Sequence, residues 1–145
     1  EDAHCAVILP IDATVAWKFE ANAPHRTYGL DAIDPEGMIL DIGPNSVERI
    51  KGAIDEAATL IWNGPLGAFE TEPFDTGTSE VARYVAARTK AGKLVSVAGG
   101  GDTVAALAKA GVKDEFTYVS TAGGAFLEWM EGKDLPGVAA LRTAG

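Results

Sequence analysis

Three consecutive glycines, an acidic residue and a hydroxyl residue form the segment with the clearest chemical potential, Gly99-Gly100-Gly101-Asp102-Thr103. Glycines lack a Cβ atom, so the backbone can approach a ligand closely, and a helix that follows presents unpaired N–H groups to an anion. Asp102 suits a Mg²⁺ ion that bridges phosphate oxygens, with the Thr103 hydroxyl as a further ligand or donor. The alternative is that Asp102 only caps the helix and that the glycines make a tight turn.

The same segment does not match two common phosphate-binding motifs. No GK[ST] sequence follows it, so it is not a Walker A loop, and Val104 stands where the last glycine of GxGxxG should be. A nucleotide pocket at this turn therefore belongs to another class. An oxidoreductase with a Rossmann-type NAD site is the disfavoured alternative.

A second glycine-rich segment, residues 63–70, also follows an apolar run. It contains two glycines, a proline and three apolar side chains, and it ends on Glu70. An apolar slot beside a carboxylate suits a nucleoside, because the base favours burial and the ribose hydroxyls favour an acceptor. The alternative is a plain loop in which Phe69 joins the core and Glu70 is solvated. The pair Gly123-Gly124, which also precedes a helical segment, repeats the anion-binding logic more weakly.

The charge of the chain limits its partners. A formal net charge of -9, with 12 basic and 21 acidic side chains, argues against nucleic acid or an anionic membrane surface. A small phosphate ligand remains compatible with this charge, because backbone N–H groups and a divalent cation can hold it. The single cysteine and the absence of paired Cys or closely spaced His fit a reducing cytosol. Residues 1–10 resemble neither a signal peptide nor a membrane anchor, and they look like a cut end.

The elements that must position these turns follow a repeated pattern. Apolar, β-branched runs, each followed by a glycine-containing turn and a segment of helical period, predict a series of βα units with parallel strands in one domain. The runs lie at 38–42, 59–62, 94–98 and 116–120. Asn45 and Glu48 have the spacing of a capping box at the start of the first helix, which should end near Ala57. Later helices are expected around 81–88, over 104–110 and up to Met130.

The segments outside these units are less regular. Residues 6–9 are typical of a buried strand, and residues 14–19 of an alternating edge strand. Residues 20–36 keep no period and are expected to form a polar surface loop. Residues 135–141 are apolar but interrupted by proline and glycine, and they are expected to dock against a part of a complete protein that this chain lacks.

Five motifs, in this order, closely resemble phosphoglycerate kinase. They are DIGP at 41–44, WNGPLGAFE at 62–70, GGGDT at 99–103, STAGGAFLE at 120–128 and LPGVAAL at 135–141. Leu9, Pro10 and Asp12 also fit an LPxD pattern, so the likeness extends from about Ala6 to Leu141. Five ordered motifs are far more specific than one, and they cover only the later part of that family's carboxy-terminal, nucleotide-binding domain.

The resemblance implies an α/β fold of three α/β/α layers with a mostly parallel, Rossmann-like sheet that is incomplete in this chain. Residues 1–145 would form one fragment of the nucleotide-binding domain. Within it, residues 1–37 would hold a strand, an edge strand and a loop, and residues 38–132 the βα units. Residues 133–145 would be a tail that packs toward the amino-terminal domain of the family, which is missing here together with its basic triose-binding patch and the lysines of the nucleotide site.

The activity that the resemblance implies is the glycolytic transfer of a phosphoryl group between 1,3-bisphosphoglycerate and ADP. The reaction gives 3-phosphoglycerate and ATP, requires Mg²⁺ and runs in reverse in gluconeogenesis. The partners would be ATP or ADP on this domain and the two phosphoglycerates through the missing domain. The complete protein would be a cytoplasmic monomer that binds neither nucleic acid nor a membrane.

The family pattern carries over to the 63–70 loop residue by residue. Glu70 would bind the ribose hydroxyls, and the nucleotide pocket would be lined by Asn63, Gly64, Pro65 and Ala68.

The 99–103 turn would bind the charged part of the nucleotide. Asp102 would bind the metal ion, and Gly99, Gly100, Gly101 and Thr103 would lie along the phosphates.

The catalytic role would fall to Gly123 and Gly124, whose N–H groups would stabilise the phosphoryl group during transfer. Two departures from the family lie beside them, Ala122 where a third glycine is common and Phe126 where a small hydroxyl residue is common. No Lys or Arg lies inside the three glycine turns, so the fragment alone is not expected to catalyse. A non-catalytic nucleotide-binding module is the alternative function.

Overall fold

The computed structural model of the chain describes residues 5–120, 122–136 and 139, apart from the side chains of residues 126 and 127. The expectations for residue 121 and for nearly all of the tail beyond 136 therefore lie outside the described residues. The strands and helices in chain order are β1 (Asp12–Ala16), β2 (His25–Gly29), β3 (Met38–Ile42), α1 (Pro44–Glu56), β4 (Thr59–Asn63), α2 (Thr76–Lys90), β5 (Val95–Gly99), α3 (Gly101–Lys109), β6 (Tyr118–Ser120) and α4 (Gly124–Met130).

A parallel sheet with the strand order β4-β5-β6 confirms the α/β class and the last three predicted βα units. Its covered face carries Trp62 and Ala98, which join one core cluster with residues of α1, α2 and α3 such as Val85 and Leu107. Helices α1, α2 and α3 thus form one helical layer on this sheet, and α4 also contacts β5.

A second, antiparallel sheet has the order β2-β1-β3 and differs from three expectations. The strand expected at the edge is the middle strand β1, because β2 and β3 pair with it on either side. The run at 38–42 is a strand, but it pairs antiparallel with β1 and does not join the parallel sheet. The expected loop at 20–36 contains β2, whose residues are mostly exposed and so leave no hydrophobic period in the sequence.

The prediction of a buried strand at residues 6–9 is wrong. Residues 5–10 have no regular secondary structure, and Val7 and Leu9 are 77% and 64% exposed. A strand needs a neighbour for its backbone N–H and C=O groups, and among the described residues no segment pairs with this one. The apolar composition indicates burial but does not supply that neighbour.

The start of α1 is held by a residue from another strand, so the predicted capping box of Asn45 and Glu48 is wrong. The carboxylate of Asp12 accepts hydrogen bonds from Asn45 N at 2.9 Å and from Ser46 N at 2.7 Å. Ser46 Oγ donates to the same carboxylate at 2.6 Å. Burial raises the pKa of Asp12, but these hydrogen bonds, led by that from Ser46, outweigh it and hold the pKa below its ordinary value. A carboxylate at a helix N-terminus also interacts favourably with the helix dipole.

Candidate functional site

The glycine turns of the sequence meet at one edge of the parallel sheet. Asn63 at the end of β4 is paired with Gly99 at the end of β5, and Gly99 is paired with Ser120 at the end of β6. In open α/β sheets, ligands bind outside the carboxyl ends of the parallel strands. The structure therefore brings the 63–70 loop, the 99–103 turn and the start of the Gly123-Gly124 turn to the place where such sheets bind ligands.

The 99–103 turn leads directly into α3. Gly100 is the N-cap residue, with a φ of +101° that favours glycine, and α3 begins at Gly101, three residues earlier than predicted. Asp102 is exposed, no side chain makes a capping hydrogen bond at this helix start, and within the described residues its carboxylate makes no hydrogen bond or ion pair. The alternative in which Asp102 serves as the helix cap is therefore wrong. Its carboxylate faces solvent.

The 63–70 loop is connected to the 99–103 turn by a short hydrogen bond. Thr103 is only 2% exposed, and its Oγ1 accepts a hydrogen bond from Gly64 N at 2.7 Å. Gly64 has a φ of +91°, and its carbonyl oxygen accepts from Trp62 Nε1 at 2.6 Å. Thr103 thus fixes the relation between the two segments, and its hydroxyl hydrogen remains available to donate to an acceptor.

The rest of the 63–70 loop is anchored to its surroundings through backbone N–H groups. Leu66 N donates to Thr78 Oγ1 of α2 at 2.9 Å, and Ala68 N donates to the carbonyl oxygen of Leu40 in β3 at 2.7 Å. Thr78 is 1% exposed, so water cannot compete for the hydrogen bond to its hydroxyl group. These bonds give the loop a defined shape without a ligand.

The end of the loop combines a buried ring with an exposed carboxylate. Phe69 is 9% exposed and Glu70 is exposed, which agrees with the plain-loop alternative but leaves Glu70 free to meet a ligand. Lys109 of α3 donates to the carbonyl oxygen of Phe69 at 2.8 Å and forms an ion pair with Asp75 at 3.2 Å. This lysine is therefore already engaged beside the loop.

An open apolar cavity of about 570 Å³ borders the middle of the loop. Its wall includes Leu66, Gly67 and Ala68 from the loop and Leu40 from β3. The predicted apolar slot is thus present, whereas Glu70 borders a separate, more polar depression together with Asn22 and Lys109. The slot and the carboxylate that the sequence places together therefore border two different pockets along the loop.

Asp41 is a buried carboxylate beneath the loop whose role the sequence does not reveal. It is 3% exposed, and its oxygens accept from Ile42 N and from Gly77 N, the second residue of α2, both at 2.8 Å. Burial, together with the smaller effect of the nearby charges of Asp75 and Glu80, raises the pKa of Asp41 to about 6, although the two hydrogen bonds lower it. The neighbouring pocket is also bordered by His25 of β2.

The raised pKa of Asp41 predicts a pH-dependent stability. Because the folded-state pKa of about 6 exceeds the ordinary 3.8, the native state binds more protons between these values, so stability is highest below the lower value and is lost as pH rises through the upper one. When the pH falls from about 7 to about 4.5, we expect the free energy of unfolding of the chain to rise by about 2 kcal/mol relative to that of its Asp41→Asn variant. Urea denaturation of both proteins at both pH values measures this, and the comparison cancels the contribution of every group that titrates alike in the two proteins. Parallel pH profiles would contradict the assignment.

The third turn is present but sparsely contacted. Gly123 has a φ of +56°, α4 begins at Gly124, and Ala122 N donates to Ser120 Oγ at 3.2 Å. Gly124 is exposed, and its turn follows the end of β6 at the edge that the other two segments share. The catalytic role of this pair stays a prediction.

Three residues that shape the site escape the sequence argument: Asp41, Thr78 and Lys109. Thr78 and Lys109 lie inside ordinary helical patterns and carry no local signal. Asp41 does carry one, because an acidic residue inside the apolar run Met38-Ile39-Leu40-Asp41-Ile42 must find partners when it is buried.

Two further properties of the described residues concern metal binding and membrane insertion. Residues 5–120, 122–136 and 139 contain no group of three or more His, Cys, Asp or Glu side chains that could hold a metal ion by themselves. None of the described helices has the length and apolar character needed to cross a membrane.

Comparison with known proteins decides the family. The family model described as phosphoglycerate kinase matches residues 1–133. The chain belongs to the phosphoglycerate kinase family. Among curated relatives, the phosphoglycerate kinase of Rhodopseudomonas palustris is 72% identical over 143 residues, and that of Bradyrhizobium diazoefficiens is 70% identical over 142 residues. These matches cover 99% and 98% of this chain but 36% of each relative. The chain thus spans about a third of the length of the kinases it resembles.

Solved structures of the family share the fold. The phosphoglycerate kinase from Coxiella burnetii superposes with a TM-score of 0.80 at 44% identity, covering 86% of this chain and 32% of the other. The phosphoglycerate kinase from Pyrococcus horikoshii OT3 gives a TM-score of 0.74 at 31% identity, covering 92% of this chain and 32% of the other. The expected kinship with phosphoglycerate kinase is confirmed.

Proposed function

We propose that this chain is the nucleotide-binding part of a phosphoglycerate kinase. The complete enzyme transfers a phosphoryl group between 1,3-bisphosphoglycerate and ADP, giving 3-phosphoglycerate and ATP in glycolysis. Family membership supports a kinase that uses a nucleotide. The cytosolic location and the monomeric state expected from the sequence are part of the same proposal.

The observation that carries the proposal is the convergence of the glycine turns. The registers Asn63↔Gly99 and Gly99↔Ser120 bring them to one sheet edge, and the 2.7 Å bond from Gly64 N to Thr103 Oγ1 locks two of them together. A nucleotide lying across β4 and β5 would meet the 63–70 loop with its nucleoside and the 99–103 turn with its phosphates.

The nucleoside end is assigned to the loop and its cavity. The wall of Leu40, Leu66 and Ala68 offers the base an apolar surface, and a cavity of about 570 Å³ is large enough for it. Asn63 and Gly64 line an adjoining pocket that shares Leu66 with this cavity, and Pro65 connects Gly64 to Leu66 along the chain. Glu70 is exposed and free to accept from ribose hydroxyls.

The phosphate end is assigned to the 99–103 turn and α3. Gly100 and Gly101 bring the backbone close, Gly99 ends the strand, and Thr103 can donate its hydroxyl hydrogen to a phosphate oxygen. The exposed, unpartnered carboxylate of Asp102 has the hard oxygen donors that Mg²⁺ prefers. When bound, the ion would neutralise charge on the phosphates.

The transfer step is assigned to the Gly123-Gly124 turn, whose N–H groups would stabilise the developing charge of the phosphoryl group. The chain by itself is proposed to bind nucleotide without transferring phosphate, because the three turns carry no Lys or Arg. A non-catalytic nucleotide-binding module remains the second candidate for that reason.

The test is a chimaera in which this chain replaces the matching segment of the Rhodopseudomonas palustris kinase, with which it shares 72% identity over 143 residues. We expect phosphoryl transfer from ATP to 3-phosphoglycerate, and amide hydrogen exchange that slows at residues 63–70 and 99–103 when MgADP is added. The Asp102→Ala variant should lose the protection at 99–103. NAD serves as the control ligand and should protect neither segment.

Two results would contradict this proposal. Binding of MgADP without any transfer by the chimaera would favour the non-catalytic module. Protection by NAD and none by MgADP would instead revive the dinucleotide-binding alternative.

A further inference from the structure

The carboxylate of Asp41 is wedged between the 63–70 loop and the start of α2. One oxygen, Oδ1, accepts from Ile42 N, and the other, Oδ2, accepts from Gly77 N, both at 2.8 Å. A Cβ atom added to Gly67 would overlap Oδ1, and one added to Gly77 would lie 2.6 Å from it. The backbone of both segments therefore packs directly on this side chain.

This packing explains the glycine at position 67. Gly67 is not among the residues with positive φ, so its backbone conformation alone does not demand glycine. The demand comes from close contact, because a Cβ atom would collide with the Asp41 carboxylate and lie 2.8 Å from the carbonyl oxygen of Leu40. The flanking residues Leu66 and Ala68 form the cavity wall assigned to the nucleoside.

Unlike Asp12, whose pKa is held below its ordinary value by its hydrogen bonds, Asp41 has a raised pKa, so its carboxylate is a costly choice for a role limited to capping. Uncharged hydroxyl and amide side chains satisfy helix starts well, whereas a buried charge without a counterion is unfavourable. Asp41 is 3% exposed, and none of the salt bridges in the described ranges involves it. The charged groups around it are the acidic Asp75 and Glu80.

We propose that Asp41 is a positioning residue for the nucleotide. It holds Gly67 between β3 and α2, and thereby places the side chains of Leu66 and Ala68 at the cavity. This inference rests on the proposed function, since it assigns a ligand to the surface that Asp41 supports.

Steady-state kinetics of the chimaera test the proposal. We expect Asp41→Asn, which keeps the size of the side chain, to raise the KM for MgATP about tenfold and to change the KM for 3-phosphoglycerate by less than about twofold. Ser46→Ala is the matched control. Ser46 is 1% exposed, and within the described chain its hydroxyl bonds only to Ile11 and Asp12. Its loss should lower stability and leave both KM values unchanged.

A double-mutant cycle tests the contact with Gly67 separately. Gly67→Ala alone should raise the KM for MgATP about tenfold or more, because the new methyl group meets the carboxylate. In the Asp41→Ala background the same substitution should raise it only about threefold further, because the carboxylate is gone and the Leu40 carbonyl remains. Additive effects would show that Asp41 and Gly67 act independently and would overturn the proposal.

The remaining outcomes are equally decisive. If the wild-type chimaera is active and Asp41→Asn leaves the KM for MgATP unchanged, the inference is overturned and the proposed function stays intact. The same conclusion follows if Ser46→Ala changes that KM as much as Asp41→Asn does. A folded wild-type chimaera that neither binds MgATP nor transfers phosphate overturns both. If Asp41→Asn fails to fold, the Gly67→Ala and Ser46→Ala variants still separate the loop contact from general stability.

Discussion

Replacing Asp102 by alanine is expected to lower kcat/KM of the chimaera about 10²- to 10³-fold when MgATP is the varied substrate. This is the usual effect of removing one group that stabilises charge in the transition state. The carboxylate is exposed and, among the described residues, has no protein partner. Its removal should therefore leave stability within about 1 kcal/mol, the scale of a helix-dipole interaction. Initial rates at saturating 3-phosphoglycerate and excess Mg²⁺ measure the effect, and thermal unfolding of the same samples measures the stability.

The control for this substitution is Asp114→Ala. Asp114 is an exposed acidic residue in the short 3-10 helix Lys113–Glu115, outside the glycine turns, so its loss removes the same charge from the protein. We expect kcat/KM to stay within about twofold of wild type. Equal losses in both variants would assign the effect to net charge, and full activity of Asp102→Ala would reject the metal-binding role.

Phe74→Ala is expected to cost about 3–5 kcal/mol of stability, the usual range for truncating a fully buried aromatic side chain. Phe74 is 0% exposed and forms a small core with Ala16 and Ala23, against which Leu40 and Ala68 pack. Its ring also meets that of His25 edge to face, with centroids 5.8 Å apart. Urea denaturation of the chain and the variant measures the loss.

Phe19→Ala provides the comparison, because the same atoms are removed from a side chain that is 60% exposed. We expect it to change stability by less than about 0.5 kcal/mol. A similar loss in both variants would mean that the ring of Phe74 contributes no more than a surface ring. Since Ala68 packs against Phe74 and borders the cavity, Phe74→Ala should also speed amide exchange in the 63–70 loop.

The glycine turns and their strands are the part of the site that the sequence predicts well. The runs at 59–62 and 94–98 match β4 and β5 to within one residue. Gly64 and Gly100 have positive φ, a requirement that acts locally and is therefore visible as glycine in the sequence. The parallel pairing follows from the alternation of strands and helices, which is also a local signal.

Long-range partners could not be predicted. The bond from Gly64 to Thr103 spans 39 positions and depends on the register of β4 with β5. The antiparallel sheet was missed for a similar reason, because β2 is exposed and its pairing with β1 leaves no periodic trace. The start of α1 is capped by Asp12 and not by the predicted capping box of Asn45 and Glu48. A single sequence favours the capping residue that is near in the chain, because it carries no information about distant partners.

The two carboxylates from the antiparallel sheet have a consequence for how the molecule comes apart. Asp12 of β1 holds the start of α1, and Asp41 of β3 holds the start of α2, so peeling away the antiparallel sheet strips both helices of their first acceptors. These helices in turn pack on the parallel sheet. Both sheets should therefore melt in one cooperative step, and strands that carry none of the glycine turns become a condition for a rigid binding edge.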